Sequence, residues 1–121
     1  MRLAREVCED HKAVDVTVYD MRGRSILADY YLFCSANSGP HIRAIVSQLD
    51  KAFKDAGAPA RAIEGKPESN WVLLDLNDLL VHVLHPDARR FYSLESLTDG
   101  APRLHGPAPQ PPPKPRDPTE A

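Results

Sequence analysis

His82 and His85 stand three residues apart at the end of an apolar run, which is the spacing of a metal-ligand pair. The run reads as a strand, though, and residues i and i+3 of a strand point to opposite faces, so the two imidazoles cannot close on one ion. His82 is then a sheet histidine hydrogen-bonded to a neighbour. Metal-dependent nucleotidyl transfer needs paired carboxylates on a strand and a glycine-serine loop that lets backbone approach a phosphate. Neither Asp15 nor Asp20 belongs to such a pair, Ala36-Asn37-Ser38 lacks the glycine, and Asp75 and Asp78 flank a turn. Cys34 lies in an apolar run, where a buried thiol has a raised pKa and is a poor nucleophile. No catalytic, cofactor or metal set emerges, and the chain reads as a non-enzyme. Trp71, the single tryptophan, opens a strand after the polar run 64–70. It either caps the core or stands at the surface as a binding anchor, the role in which aromatic residues dominate hot spots; composition leaves both open. Arg89 and Arg90 read as the solvated face of a helix.

Local periodicity supplies the elements that would position these residues. Leu3, Val7 and His11, with Ala4 and Cys8 beside them, mark an amphipathic helix over 2–12. Val14, Val16 and Val18 alternate with polar residues as in a half-buried strand. Tyr30 to Cys34 is continuously apolar, as expected mid-sheet with both faces covered. Pro40 suits the first turn of a helix, Ile42, Ile45, Val46, Leu49 and Phe53 continue it, and Gly57 stands where a left-handed cap belongs. Ala60 to Ile63 is a weak strand, and the strand-helix-strand order implies a right-handed parallel crossover. Trp71 to Asp75 and Leu79 to Leu84 form a hairpin with Asn77 at its left-handed corner. After Pro86, the spacing of Ala88, Phe91, Leu94 and Leu97 predicts a closing helix packed on the sheet. The fold class is α/β, with a mixed, partly parallel sheet and flanking helices.

The chain has 121 residues and a formal net charge of −2. Eight of its twelve prolines fall after residue 101, so one folding domain should span 1–100, followed by a Pro-rich, extended or disordered tail over 101–121. The tail contains a PxxP-plus-cation pattern near 109–116 that a docking peptide would share, so an adaptor is an alternative reading. Residues 1–101 carry a charge of −3, which disfavours direct nucleic-acid binding. Cys8 and Cys34 are too few and isolated for a disulfide framework, and each reads as a small buried hydrophobe. The N-terminus lacks an apolar signal core and no apolar run reaches a membrane span; the expectation is a cytoplasmic protein without membrane contact.

Four blocks carry a family resemblance: residues 14–20, residues 27–35, Glu64-Gly65, and residues 71–83 (Trp-Val-Leu-Leu-Asp-Leu-Asn-Asp-Leu-Leu-Val-His-Val) continued by 89–97. Over about residues 3 to 98 the chain resembles the ribosomal silencing factor (RsfS, Iojap-like) family. The resemblance implies a nucleotidyltransferase-like scaffold without its catalysis. It also implies a translation repressor that docks on the fourteenth protein of the large ribosomal subunit and sterically blocks joining of the small subunit under nutrient limitation. Trp71 and Leu76 occupy the family's interface positions, with Asp75 and Asp78 as acidic complements to a basic protein. No cofactor is implied, and an exposed sheet edge leaves room for a homodimer. An acidic domain with one aromatic anchor suits a basic protein patch better than RNA. The chain departs from the family at Asn77, where glycine is usual, at Ala36-Asn37-Ser38, at Leu97-Thr98, where Leu-Trp is usual, and in a shorter first helix. The alternative from another class is a metal-dependent, nucleotidyltransferase-like enzyme acting through Asp75 or Asp78.

Overall fold

The computed structural model describes residues 1–92, 98 and 100–107. Helix α1 (Arg2–Asp10) ends where Lys12 turns left-handed, at a φ of 63°. Strands β1 (Val14–Asp20) and β2 (Tyr30–Ser35) follow, then α2 (Gly39–Asp55), β3 (Ala62–Lys66), β4 (Trp71–Asp75), β5 (Leu79–Leu84), α3 (Pro86–Tyr92) and β6 (Arg103–His105). Pro40 and Gly57 start and stop α2 as the sequence predicts, and Ser38 adds a side-chain cap not read from the sequence. Ser38 Oγ accepts the His41 N–H at 3.2 Å, Pro40 sits in the first turn, and Gly57 takes a φ of 79° just past the end. Ile42, Ile45 and Leu49 form its buried face.

The six strands lie in the order β3-β4-β5-β2-β1-β6. β2 is central, as its continuous apolar run requires, pairing antiparallel with β1 and parallel with β5. The crossover from β2 through α2 does not end beside β2. β3 runs in the same direction but lies at the far edge, because the hairpin β4–β5 fits between them. A later hairpin can claim the central place because it is more apolar than β3, all five of whose residues are exposed.

Alternating side chains divide the core into two layers. Val16, Val18, Leu32, Cys34, Val72, Leu74, Val81 and Val83 pack under α1 and α2. Tyr19, Met21, Ala28, Tyr31, Phe33, Leu80, Leu84 and Ala101 form a second cluster on the other face, with Trp71 and Leu73 at its rim. This second layer corrects the expectation of a half-buried β1, whose residues 16–19 are all buried.

Three further expectations change. β6 pairs antiparallel with β1, so the sheet continues through residues 103–105, within what composition assigns to an unstructured tail. Residues 108–121, with the PxxP pattern, lie outside the described residues, as do Leu94 and Leu97. Phe91 of α3 is 69% exposed, so most of its ring stays outside the core. Arg89, expected on a solvated face, is 9% exposed and donates to the Asp15 carbonyl (2.8 Å), Ser35 Oγ (3.1 Å) and Thr17 Oγ1 (3.1 Å). The cause is a bulge in β1. Asp15 has a φ of 51° and the register with β2 shifts between Val14 and Thr17, which turns a carbonyl away from the ladder. A guanidinium can fork to several such acceptors at once.

Candidate functional site

The β4–β5 hairpin carries all four residues singled out from the sequence, and its turn is built by local polar chemistry. Asp75 Oδ1 accepts the Asn77 N–H at 3.0 Å, Asn77 takes a φ of 78°, and the Leu76 N–H donates to the Leu79 carbonyl at 2.9 Å. Asparagine tolerates this left-handed corner at modest cost, as the sequence predicts for Asn77. The Asp78 carbonyl accepts the N–H groups of Asp29 and Tyr30, both at 3.0 Å, and so ties the β1–β2 loop to the hairpin corner.

The four residues do not form one cluster. Trp71 and Asp75 share a face of β4 but lie four residues apart, about 13 Å along a strand. Asp75 is committed internally: its Oδ2 pairs with Arg61 Nη2 at 3.0 Å, which leaves little net charge to offer. Asp78 keeps an exposed side chain. Leu76 is only 8% exposed and belongs to the core under α1 and α2, so it shapes the corner from within and presents little surface.

Trp71 is half-buried, so it caps the second core cluster and keeps part of its ring at the surface. Its inner edge packs on the second core cluster, its indole N–H donates to His82 Nδ1 at 3.3 Å, and its ring stacks on that imidazole at 6.1 Å. His82 in turn lies flat on Phe33, with centroids 4.6 Å apart. With Nδ1 accepting, the neutral ring carries its proton on Nε2, which is buried without a partner among the described residues. Burial pushes the His82 pKa down to about 4, so at neutral pH the ring is an uncharged support for the indole. The expectation of a sheet histidine bonded to a neighbour holds, and the partner is the tryptophan itself.

Two supporting residues escape a reading by type and spacing. Leu73, half-buried between Trp71 and Asp75, extends the indole into an apolar strip; its alternation in β4 was the available signal. Gly65 has a φ of 87°, and a Cβ there would meet the Trp71 carbonyl at 2.5 Å, so only glycine lets β3 close against the start of β4. Lys66 and Glu64 pair opposite Trp71 and Leu73, placing one charge of each sign beside the strip.

Acid chemistry finds no support in the geometry. Asp20 is held by the Arg22 guanidinium at 2.7 and 3.0 Å, which lowers its pKa to about 2. Among the described residues there is no group of three or more His, Cys, Asp or Glu side chains able to hold a metal ion. Nor is any described helix long and apolar enough to cross a membrane.

Comparison with known proteins agrees with the fold and with the family resemblance. The family model "Ribosomal silencing factor during starvation" (RsfS) matches residues 1–121. The ribosomal silencing factor RsfS of Bacillus subtilis is 39% identical over 102 residues, covering 84% of this chain and 86% of that protein. A mouse protein named for mitochondrial assembly of the ribosomal large subunit is 31% identical over 88 residues, which is 70% of this chain and 39% of the mouse protein. A crystal structure from Bacillus halodurans superposes with a TM-score of 0.75 at 36% identity, covering 86% of this chain and 94% of that one. With a whole-chain family match, relatives at this identity and a superposable structure, the chain belongs to the ribosomal silencing factor (RsfS) family.

Proposed function

We propose that this protein represses translation by binding the large ribosomal subunit through its fourteenth protein and occupying the surface where the small subunit would join, in the cytoplasm and under nutrient limitation. The observation that carries this reading is Trp71: a large amphipathic ring, backed by His82 and Phe33 and flanked by Leu73, presented on a sheet face that α1 and α2 leave free. A rigid, half-buried aromatic loses little side-chain freedom on docking and contributes a large apolar contact. Asp78 supplies the acidic complement at the hairpin corner, while Asp75 and Leu76 hold the corner's shape. Occlusion needs only sufficient affinity and a position that excludes the competitor, so no catalytic residue is called for.

Subunit profiles with and without added protein test the function. Purified subunits should couple less in its presence, and undiminished coupling at molar excess would refute repression by occlusion. Capture of isolated large subunits tests the surface: Trp71→Ala should recover roughly tenfold fewer or less. Asp78→Lys, at an exposed position with no packing role, should weaken capture in a salt-dependent way. Equal recovery by all three proteins would remove this face from the interface.

A further inference from the structure

We propose that Cys8 and Cys34 are a latent disulfide pair that hydrogen peroxide closes, pinning the N-terminal helix to the centre of the sheet. The two cysteines are twenty-six positions apart, and by sequence each looks like an isolated small hydrophobe. The fold puts them in contact. Both are reduced and fully buried, and their sulfurs lie 3.9 Å apart.

The two sides of this contact differ in mobility, which is what a closing bond requires. Cys34 is fixed on β2, the strand between β1 and β5, where it pairs with Val83 of β5. Cys8 sits in the last turn of α1, a nine-residue helix that buries only Ala4 and Cys8 completely and has no side-chain cap at its start. A helix that short owes its stability to packing and undocks more readily than the strands beneath it. A disulfide needs the sulfurs at about 2.05 Å. Side-chain rotation with a small shift of α1 supplies the approach.

Contact with Cys8, together with burial, pushes the Cys34 thiol well up, so the docked pair is protected. Undocking of α1 uncovers both sulfurs to water. A thiolate then attacks peroxide: an S–O bond forms, the O–O bond breaks, and the hydroxide released takes up a proton to become water. On redocking, the second sulfur attacks the sulfenic sulfur, giving up its proton; the S–S bond forms, and the S–O bond breaks as the departing oxygen leaves as a second water. Two thiols and one peroxide become one disulfide and two waters, with the sulfurs oxidised by two electrons and the peroxide reduced.

The bond lies under α1, on the sheet face opposite Trp71, so the proposal stands apart from the docking reading. The full chain, treated with hydrogen peroxide, unfolded and alkylated, should be lighter by two hydrogen atoms, carry no alkyl groups and yield a peptide joining Cys8 to Cys34. Closing a loop of this length should raise its melting midpoint by roughly 10 °C, reversed by dithiothreitol. Two alkylated thiols after treatment, masses heavier by added oxygens, or linkage between molecules would each overturn the proposal. Cys8→Ala should show neither the mass loss nor the rise in midpoint; a rise that persists in that variant would also overturn it. The wild-type mass measurement stands without the variant.

Discussion

Acid should destabilise this protein through His82 as pH falls from about 7.5 toward 4. The ring is 5% exposed, lies between Phe33 and the Trp71 indole, and has one nitrogen occupied as an acceptor. Adding a proton would place a buried charge there and abolish the acceptor. Its pKa therefore falls from an ordinary 6.5 to about 4 in the folded state. A folded pKa below the unfolded one means that the unfolded chain binds more protons between those values. The stability contributed by the neutral ring is complete above about pH 7.5 and declines as pH falls toward 4. At 1.36 kcal/mol per pH unit the loss reaches about 2 kcal/mol at pH 5 and about 3 kcal/mol at pH 4. Asp20 overlaps this window only at its acid end, because Arg22 lowers its folded pKa from 3.8 to about 2 and the contribution is lost mainly below pH 4. Urea unfolding of the wild type and His82→Phe from pH 7.5 to 4.5, with Trp71 emission as the probe, measures the difference in slope. Parallel profiles for the two proteins, or a His82 imidazole that titrates near 6.5 by NMR in the folded state, would refute the reasoning.

Two other substitutions test how the hairpin and the β1 bulge are held. Arg89→Met removes the guanidinium's three hydrogen bonds from the buried network, in which the Asp15 carbonyl still accepts the Thr17 hydroxyl at 3.0 Å, and should cost about 2–4 kcal/mol in urea unfolding; an unchanged midpoint would return Arg89 to the solvated face. Arg89→Lys should recover only part of that loss, since one ammonium cannot reproduce the fork. Gly65→Ala adds a methyl 2.5 Å from the Trp71 carbonyl at a φ of 87° and should cost roughly 1–3 kcal/mol. It should also shift Trp71 emission as β4 moves, and a variant matching wild type in both stability and emission would show that β3 does not press on the indole.

What could be read along the chain was whatever depends on near neighbours. The period of α2, its first-turn proline and terminal glycine, the buried run of β2 and the Asn77 corner each express a local rule, and each stands in the fold as expected. The candidate site was legible to the same depth. Trp71 and Asp78 are where a hairpin must put them, but nothing within the hairpin tells that Asp75 is neutralised by Arg61 from the approach to β3 or that Leu76 turns inward. Arg89 looked solvated because its partners are a bulged carbonyl and two hydroxyls on strands more than fifty residues away. β6 joined the sheet because β1 had a free edge, which no composition of residues 101–107 encodes. The contact between Cys8 and Cys34 arises because α1 folds back over β2. Periodicity determines which face of an element is apolar; which distant face it meets is decided when all the elements pack at once, and polar pairing and thiol proximity belong to that second step.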